Sequence, residues 1–407
     1  MHDLASQNLA DPASNRRRAR NNVVRLAAAQ ALAGANASVV YATGAIVGAT
    51  LAPDPSLATL PVSTFVVGMA LATLPTGWLA RRFGRRVSFL AGVVCGVLVG
   101  LLAAAAIWVG SFALFCVSTV FGGMYAAVVQ SFRFAAADGV DPAFRPKALS
   151  WVMAGGVFAG VLGPQLVTWT MNLSPVLFFV SYLAQAGVAV VAGIVLAGVD
   201  LPAPVRGASA GRPLGQIVLQ RRFVAAALCG VVAYTLMNLV MTSAPLAMHM
   251  CGLPLSDSNF ALQWHVVAMY APSFFTGSII ARFGAPRVVA AGLLITVAAA
   301  LTGLGGLDVW HFSVALVLLG LGWNFGFIGA SALVLETHRP EERTRVQSFN
   351  DFLVFGTMAV GSFSSGQVLT RFGWAAVCEV VFPPVALAFV ALLLTRRASR
   401  PVPVAGG

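Results

Sequence analysis

Uncharged polar side chains interrupt otherwise apolar stretches of this 407-residue chain: Gln30 and Asn36, Asn238 and Thr242, Gln263, and the pair Trp323-Asn324. In an apolar surround an amide or hydroxyl without a hydrogen-bond partner costs free energy, so each must face protein, water or a solute. The chemistry these residues offer is hydrogen-bond recognition of a small organic molecule, with helix-to-helix bonding as the alternative use of each. Ionisable groups are scarcer there. Arg133 and Glu336 fall near the ends of their stretches, with Asp138 a nearby partner for Arg133, and Glu379 lies a few residues into the last stretch. His265 is the deep titratable group, either a solute contact or a packing histidine. There is no phosphate-binding glycine loop ending in Lys-Ser or Lys-Thr, no His-Glu-x-x-His, and no ligand spacing among Cys95, Cys116, Cys229, Cys251 and Cys378. The expectation is therefore a chain without catalytic residues, metal or cofactor.

The elements that hold these residues are dictated by composition. With 58% hydrophobic and 9% charged residues, the chain is far from a soluble globule, in which about a quarter of residues are charged. On the ruler of about 20 apolar residues per crossing, twelve segments follow: 24–50, 56–80, 87–109, 112–137, 148–170 and 176–199, then 223–250, 258–281, 288–306, 312–335, 351–370 and 375–394. The expected organisation is a tail over 1–22, a six-helix bundle over 23–199, a polar linker over 200–222, a second bundle over 223–395 and a tail over 396–407. Of the 25 basic residues, 23 fall in the N-terminal tail with Arg25, the even-numbered loops and the C-terminal tail. By the positive-inside rule both termini are then cytoplasmic, and the net charge of +12 reports topology rather than a nucleic-acid partner.

Repetition sharpens this plan. Gly77-Trp78-Leu79-Ala80-Arg81-Arg82-Phe83-Gly84-Arg85-Arg86 returns two hundred positions later as Gly277-Ser278-Ile279-Ile280-Ala281-Arg282-Phe283-Gly284-Ala285-Pro286-Arg287. A further copy, Ser362 to Gly373, lies over Ser273 to Gly284 three apolar segments on. An odd number of crossings inverts that copy, so each six-helix half reads as a pair of inverted three-helix repeats. The fold class is an all-α membrane protein: twelve transmembrane helices in two pseudo-symmetric bundles.

The basic turn resembles that of the major facilitator superfamily, G-x-L-A-D-R-x-G-R-R between helices 2 and 3, with a weaker copy between helices 8 and 9. The resemblance implies a conformational gate at Gly77, Arg81, Arg82, Gly84, Arg85, Arg86, Gly277, Arg282 and Gly284. Arg81 stands where the family has its acidic residue, and Asp351 at the start of helix 11 is a candidate replacement. Helices 1, 4, 7 and 10 line a central cavity in that family, which points to Asn36, Asn238, Trp323 and Asn324, with Gln30, Gln263 and His265, as substrate contacts. Tyr41, Trp151 and Tyr270 would add aromatic walls or interfacial anchors. Ala159-Gly160-Val161-Leu162-Gly163-Pro164 resembles the family's helix 5 motif of exporters, with close helix packing as the other reading. The implied protein is a monomeric secondary transporter of the inner membrane, working by alternating access. Its partners would be the bilayer and a neutral or weakly charged small-molecule substrate, with protons as the allowed coupling ion. Uptake of a vitamin such as riboflavin is one candidate, proton-coupled export of amphipathic compounds a second, and a non-transporting receptor on the same scaffold a third.

Overall fold

A computed structural model describes residues 12–54, 57–201 and 211–397. Residues 1–11, 202–210 and 398–407 of the expected tails and linker lie outside the described residues. The first half contains α1 (Pro12–Leu51), α2 (Leu60–Phe83), α3 (Arg85–Val109), α4 (Phe112–Asp138), α5 (Arg145–Thr170) and α6 (Phe179–Ala197). After the short α7 (Leu214–Val218) come α8 (Arg221–Met250), α9 (Leu255–Tyr270), α10 (Ser273–Phe283), α11 (Ala285–Gly305), α12 (Val309–Leu335), α13 (Arg343–Glu379) and α14 (Phe382–Arg397).

Among the described residues ten helices are long and apolar enough to cross a membrane, or eleven when α9 and α10 count as one bent span. The difference from twelve has a physical reason. The first half of α13 carries Arg343, Arg345, Gln347, Ser348, Asn350 and Asp351, too polar a run for an unaided hydropathy ruler. The expected single segment 258–281 is broken at Ala271-Pro272 with a bend of 41°, because proline lacks the N–H that would continue the helix ladder. The segment after Gly373 is broken once more at Val380-Val381, ahead of Pro383 and Pro384.

The chain forms two compact units. The first comprises residues 1–65 and 78–204, the second residues 66–77 and 205–407, so the interior of α2 groups with the second unit. In the first unit, small residues let backbones approach. Gly34 meets Ala159, Gly155 meets the Ala27 carbonyl, and Gly163 meets Ser38 and Ala35, so the small residues of the helix 5 motif pack α5 onto α1. Phe89 and Phe132 pack edge to face at 4.8 Å between α3 and α4. Asn22 joins both the carbonyl (2.6 Å) and the N–H (3.0 Å) of Asp200, tying the start of α1 to the end of α6. In the second unit, Gly77 lies so close to α13 that a Cβ there would overlap Ser348.

The three repeated turns share one backbone geometry. Gly84 has φ 94° and ψ 159°, Gly284 φ 84° and ψ 145°, and Gly373 φ 82° and ψ 178°. The Gly84 N–H reaches the Ala80 carbonyl at 3.0 Å and the Gly284 N–H the Ile280 carbonyl at 2.8 Å. That region of backbone space is essentially reserved for glycine, which explains why glycine recurs there in sequences that otherwise diverge.

Gly373 isolates this constraint, because nothing lies within 4 Å of where its Cβ would stand. Gly373→Ala should lower unfolding stability in detergent by about 1–3 kcal/mol. Gly356→Ala, at an ordinary helical position equally open, should be neutral or stabilising by up to about 1 kcal/mol. Equal losses in the two variants, read by thermal unfolding, would refute a backbone origin.

Candidate functional site

In the second unit an aromatic cluster occupies the middle of the helices. The Tyr234 ring of α8 meets Trp323 at 5.5 Å, Phe327 at 4.9 Å and Phe355 at 5.3 Å, each edge to face. Trp323 stacks on Phe327 of its own helix, 5.2 Å apart at 20°, and meets Tyr270 of α9 at 5.4 Å. Tyr234, Trp323, Phe327 and Phe355 are all buried. Within this apolar setting several polar atoms have no hydrogen-bond partner: the indole N–H of Trp323, Nδ2 of Asn238 and the hydroxyl of Thr235. Asn238 follows Tyr234 by one turn on the same face of α8. One turn further, Thr242 donates to the Asn238 carbonyl at 2.7 Å and to Ser365 Oγ at 3.1 Å.

Asn324 has another role. Its Nδ2 donates to the Met269 carbonyl and to Ser273 Oγ, both at 2.6 Å, and its Oδ1 accepts from Thr276 at 2.7 Å. These contacts straddle the break between α9 and α10, so Asn324 closes the ladder that Pro272 interrupts. His265 is buried with Nδ1 2.7 Å from the Leu316 carbonyl, joining α9 to α12 as a packing histidine does. Gln263 is exposed on the adjacent turn.

The first unit holds an amide relay. Asn36 Nδ2 donates to the Gly122 carbonyl at 3.0 Å, and Gln185 Nε2 donates to Asn36 Oδ1. The carbonyl can only accept, which orients Asn36, and Asn36 in turn orients Gln185. The relay binds α1, α4 and α6 together, and sequence reasoning missed its far end. Gln185 sits amid the apolar run of α6, so the reasoning applied to Asn36 would have found it. Thr43 and Tyr182 form a second tie at 2.8 Å. Gln30 is buried beside Gly155, its Oε1 without a partner. Arg133 is fully buried, donates to the Gln130 carbonyl and has its guanidinium 4.3 Å from the Phe134 ring centre.

At the basic turns, Arg85 is buried and pairs with Asp138 at 2.5 Å, while Arg81, Arg82 and Arg86 are exposed. Arg82 lies 5.6 Å from the Phe83 ring and Arg282 lies 5.2 Å from the Phe283 ring, the same cation–π arrangement in both copies. Asp351 is buried and accepts from Asn350 at 3.2 Å. A further charge cluster was not foreseen. Glu342, 1% exposed, accepts from the N–H (2.9 Å), Nε (2.8 Å) and Nη2 (2.7 Å) of Arg212 and from the Arg339 N–H (2.9 Å). The Arg212 hydrogen bond holds its carboxyl far below the usual range, at about 2. No sequence spacing relates positions 212 and 342; only the folded loop does. Among the described residues no group of histidine, cysteine or carboxylate side chains could hold a metal.

Comparisons with known proteins agree with this architecture. The family model of the Major Facilitator Superfamily matches residues 26–272 and 226–407. The riboflavin transporter RfnT of Brucella anthropi is 46% identical over 381 residues, covering 92% of this chain and 96% of its own. The MFS-type transporter YddS of Bacillus subtilis is 30% identical over 355 residues, covering 81% of each. Among solved structures, the human organic anion transporter MFSD10 superposes with a TM-score of 0.74 at 16% identity, covering 92% of this chain and 99% of that one. FucP in the outward conformation gives 0.71 at 16% identity, over 92% and 98%.

The two cavity candidates on α1 and α8 should separate by stability. Asn36→Ala strands the buried Gln185 amide and should cost about 1–2 kcal/mol. Asn238→Ala removes an Nδ2 that has no partner and should leave the melting midpoint unchanged or higher; a drop matching that of Asn36→Ala would contradict the assignment.

Proposed function

Because the chain belongs to the major facilitator superfamily and is a multi-pass membrane transporter of a small organic solute, we propose that it takes up riboflavin or a closely similar flat heterocycle. The observation that carries the substrate is the 46% identity to the riboflavin transporter of Brucella anthropi, extending over 92% of this chain. The chemistry of the second unit supports it. Riboflavin is neutral, with a flat ring system edged by carbonyl and imine acceptors, and a buried aromatic cluster with unpaired donors suits such a ring. No carboxylate lies in the middle of α1, α4, α8 or α12, in keeping with an uncharged solute.

The protein works by alternating access as a secondary transporter. We place it in the inner membrane with both termini cytoplasmic, on the distribution of its basic residues, and as a monomer. Protons are the coupling ion to be tested, by uptake with and without an imposed pH gradient. The basic turns and Asp351 are assigned to gating, and Asn238 and Trp323 to solute contact.

Expression in a bacterium unable to make riboflavin should restore growth at external riboflavin too dilute for the vector control, and liposomes carrying the purified protein should show riboflavin counterflow. Growth indistinguishable from the control together with absent counterflow would reject uptake. Resistance to toxic amphipathic compounds in place of rescue would identify an exporter.

A further inference from the structure

Trp323 and Asn324 are adjacent in sequence and do opposite things. Asn324 satisfies every hydrogen bond it can reach, spanning the α9–α10 break from Met269 on one side to Ser273 and Thr276 on the other. Trp323 leaves its indole N–H unpaired while fully buried. The indole nitrogen is donor-only, so its partner must be an acceptor. An unpaired N–H in so apolar a place costs free energy, and that cost is recovered only if an acceptor reaches it in another state of the protein.

Of the rings that touch Trp323, Tyr270 adjoins a helix break. It is the last residue of α9, immediately before Ala271-Pro272, and its ring rests edge-on against Trp323 at 5.4 Å. The helix axis bends by 41° at that point. Ala271-Pro272 is a natural hinge, since proline has already removed one ladder hydrogen bond, and the Asn324 side chain bridges the two sides of the break beside the backbone bonds that remain. Tyr234 and Phe327, the other rings on Trp323, lie within continuous helix and have no comparable freedom.

We propose that Tyr270 is a lid, hinged at Ala271-Pro272 and clipped shut by Asn324, whose opening lets the Trp323 indole N–H donate to an acceptor on the ring edge of the transported solute. Recognition and the clip then share one turn of α12. A solute that draws Trp323 toward its edge strains the neighbouring Asn324 contacts, so binding and hinge movement are linked through adjacent residues. The identity of the solute rests on the riboflavin reading, whereas the hinge does not.

Trp323→Phe keeps an aromatic ring and deletes the donor. It should raise the half-saturation for riboflavin counterflow about tenfold, the loss of one hydrogen bond. The smaller ring also leaves a cavity, so the midpoint without solute should fall, but the further rise in midpoint on adding riboflavin should shrink, which a purely structural tryptophan would not show. An unchanged half-saturation, or a riboflavin-induced rise in midpoint equal to that of the wild type, overturns the donor assignment. The clip is read by hydrogen exchange in peptides spanning residues 267–278, with no solute present. Asn324→Ala should speed exchange there about tenfold, and Thr276→Val, which removes one contact, serves if Asn324→Ala does not accumulate. Exchange unchanged from wild type overturns the lid. Wild-type protein that neither binds nor carries riboflavin overturns the substrate reading and the solute assigned to Trp323, and the lid is still decided by exchange alone.

Discussion

A polar group inside a bilayer has no water to fall back on, and most of this structure answers that single constraint. Backbone groups are satisfied within helices. Where a helix must break, a specific donor or acceptor takes up the loose end: Asn324 at Pro272, and the Ala80 and Ile280 carbonyls at the glycine turns. Side-chain amides obey the same demand. The Gly122–Asn36–Gln185 relay links three helices through buried amides, with only Gln185 Oε1 left over. Other buried polar atoms are left without a partner too, Gln30 Oε1, Gln185 Oε1 and the Tyr125 hydroxyl among them; what distinguishes Trp323 and Asn238 is that their unpaired N–H groups lie on the helices of the aromatic cluster.

Charge is distributed by the same logic. Buried carboxylates cluster at the helix ends and are held by several donors: Asp138 by Arg85, Glu342 by Arg212 and the Arg339 N–H. The four hydrogen bonds on Glu342 hold its carboxyl at about 2. Its folded value is depressed, so its contribution to stability is present above the ordinary value of 4.5 and is lost progressively as pH falls from there through about 2. This clamp fixes residues 211–222 onto the loop ahead of α13, making the later part of the linker an element of the second unit rather than a loose tether.

Much of this was legible in the sequence because membrane helices are written in long apolar runs and the chain is internally repeated. The alignment of Gly84, Gly284 and Gly373 came from residue types alone, and all three adopt one glycine-specific backbone geometry. The repeat therefore encodes a conformation. What escaped was tertiary. Gln185 is not singled out by the apolar run of α6, and its bond to Asn36 exists only in the fold. Glu342 is not singled out either, since its partner Arg212 is remote in sequence. The break at Pro272 was hidden because hydropathy runs through it undisturbed. The sequence offers Asn324 as a solute contact, and in the structure its amide bridges the α9–α10 break; hydropathy cannot tell an amide facing a solute from one facing a broken helix.

The middle of the second unit contains aromatic rings, hydroxyls, amides and a neutral packing site for His265, but no carboxylate among the described residues. A charged centre would have to be resolvated or re-paired whenever its surroundings changed, at a cost of several kcal/mol per ion. A neutral one need only exchange hydrogen bonds and ring contacts, each worth about 0.5–1.5 kcal/mol. Small terms of that kind permit rearrangement at modest cost, and they let one solute hydrogen bond be a meaningful fraction of the total. The same economy limits how tightly the solute is held, which suits a carrier that must release what it binds.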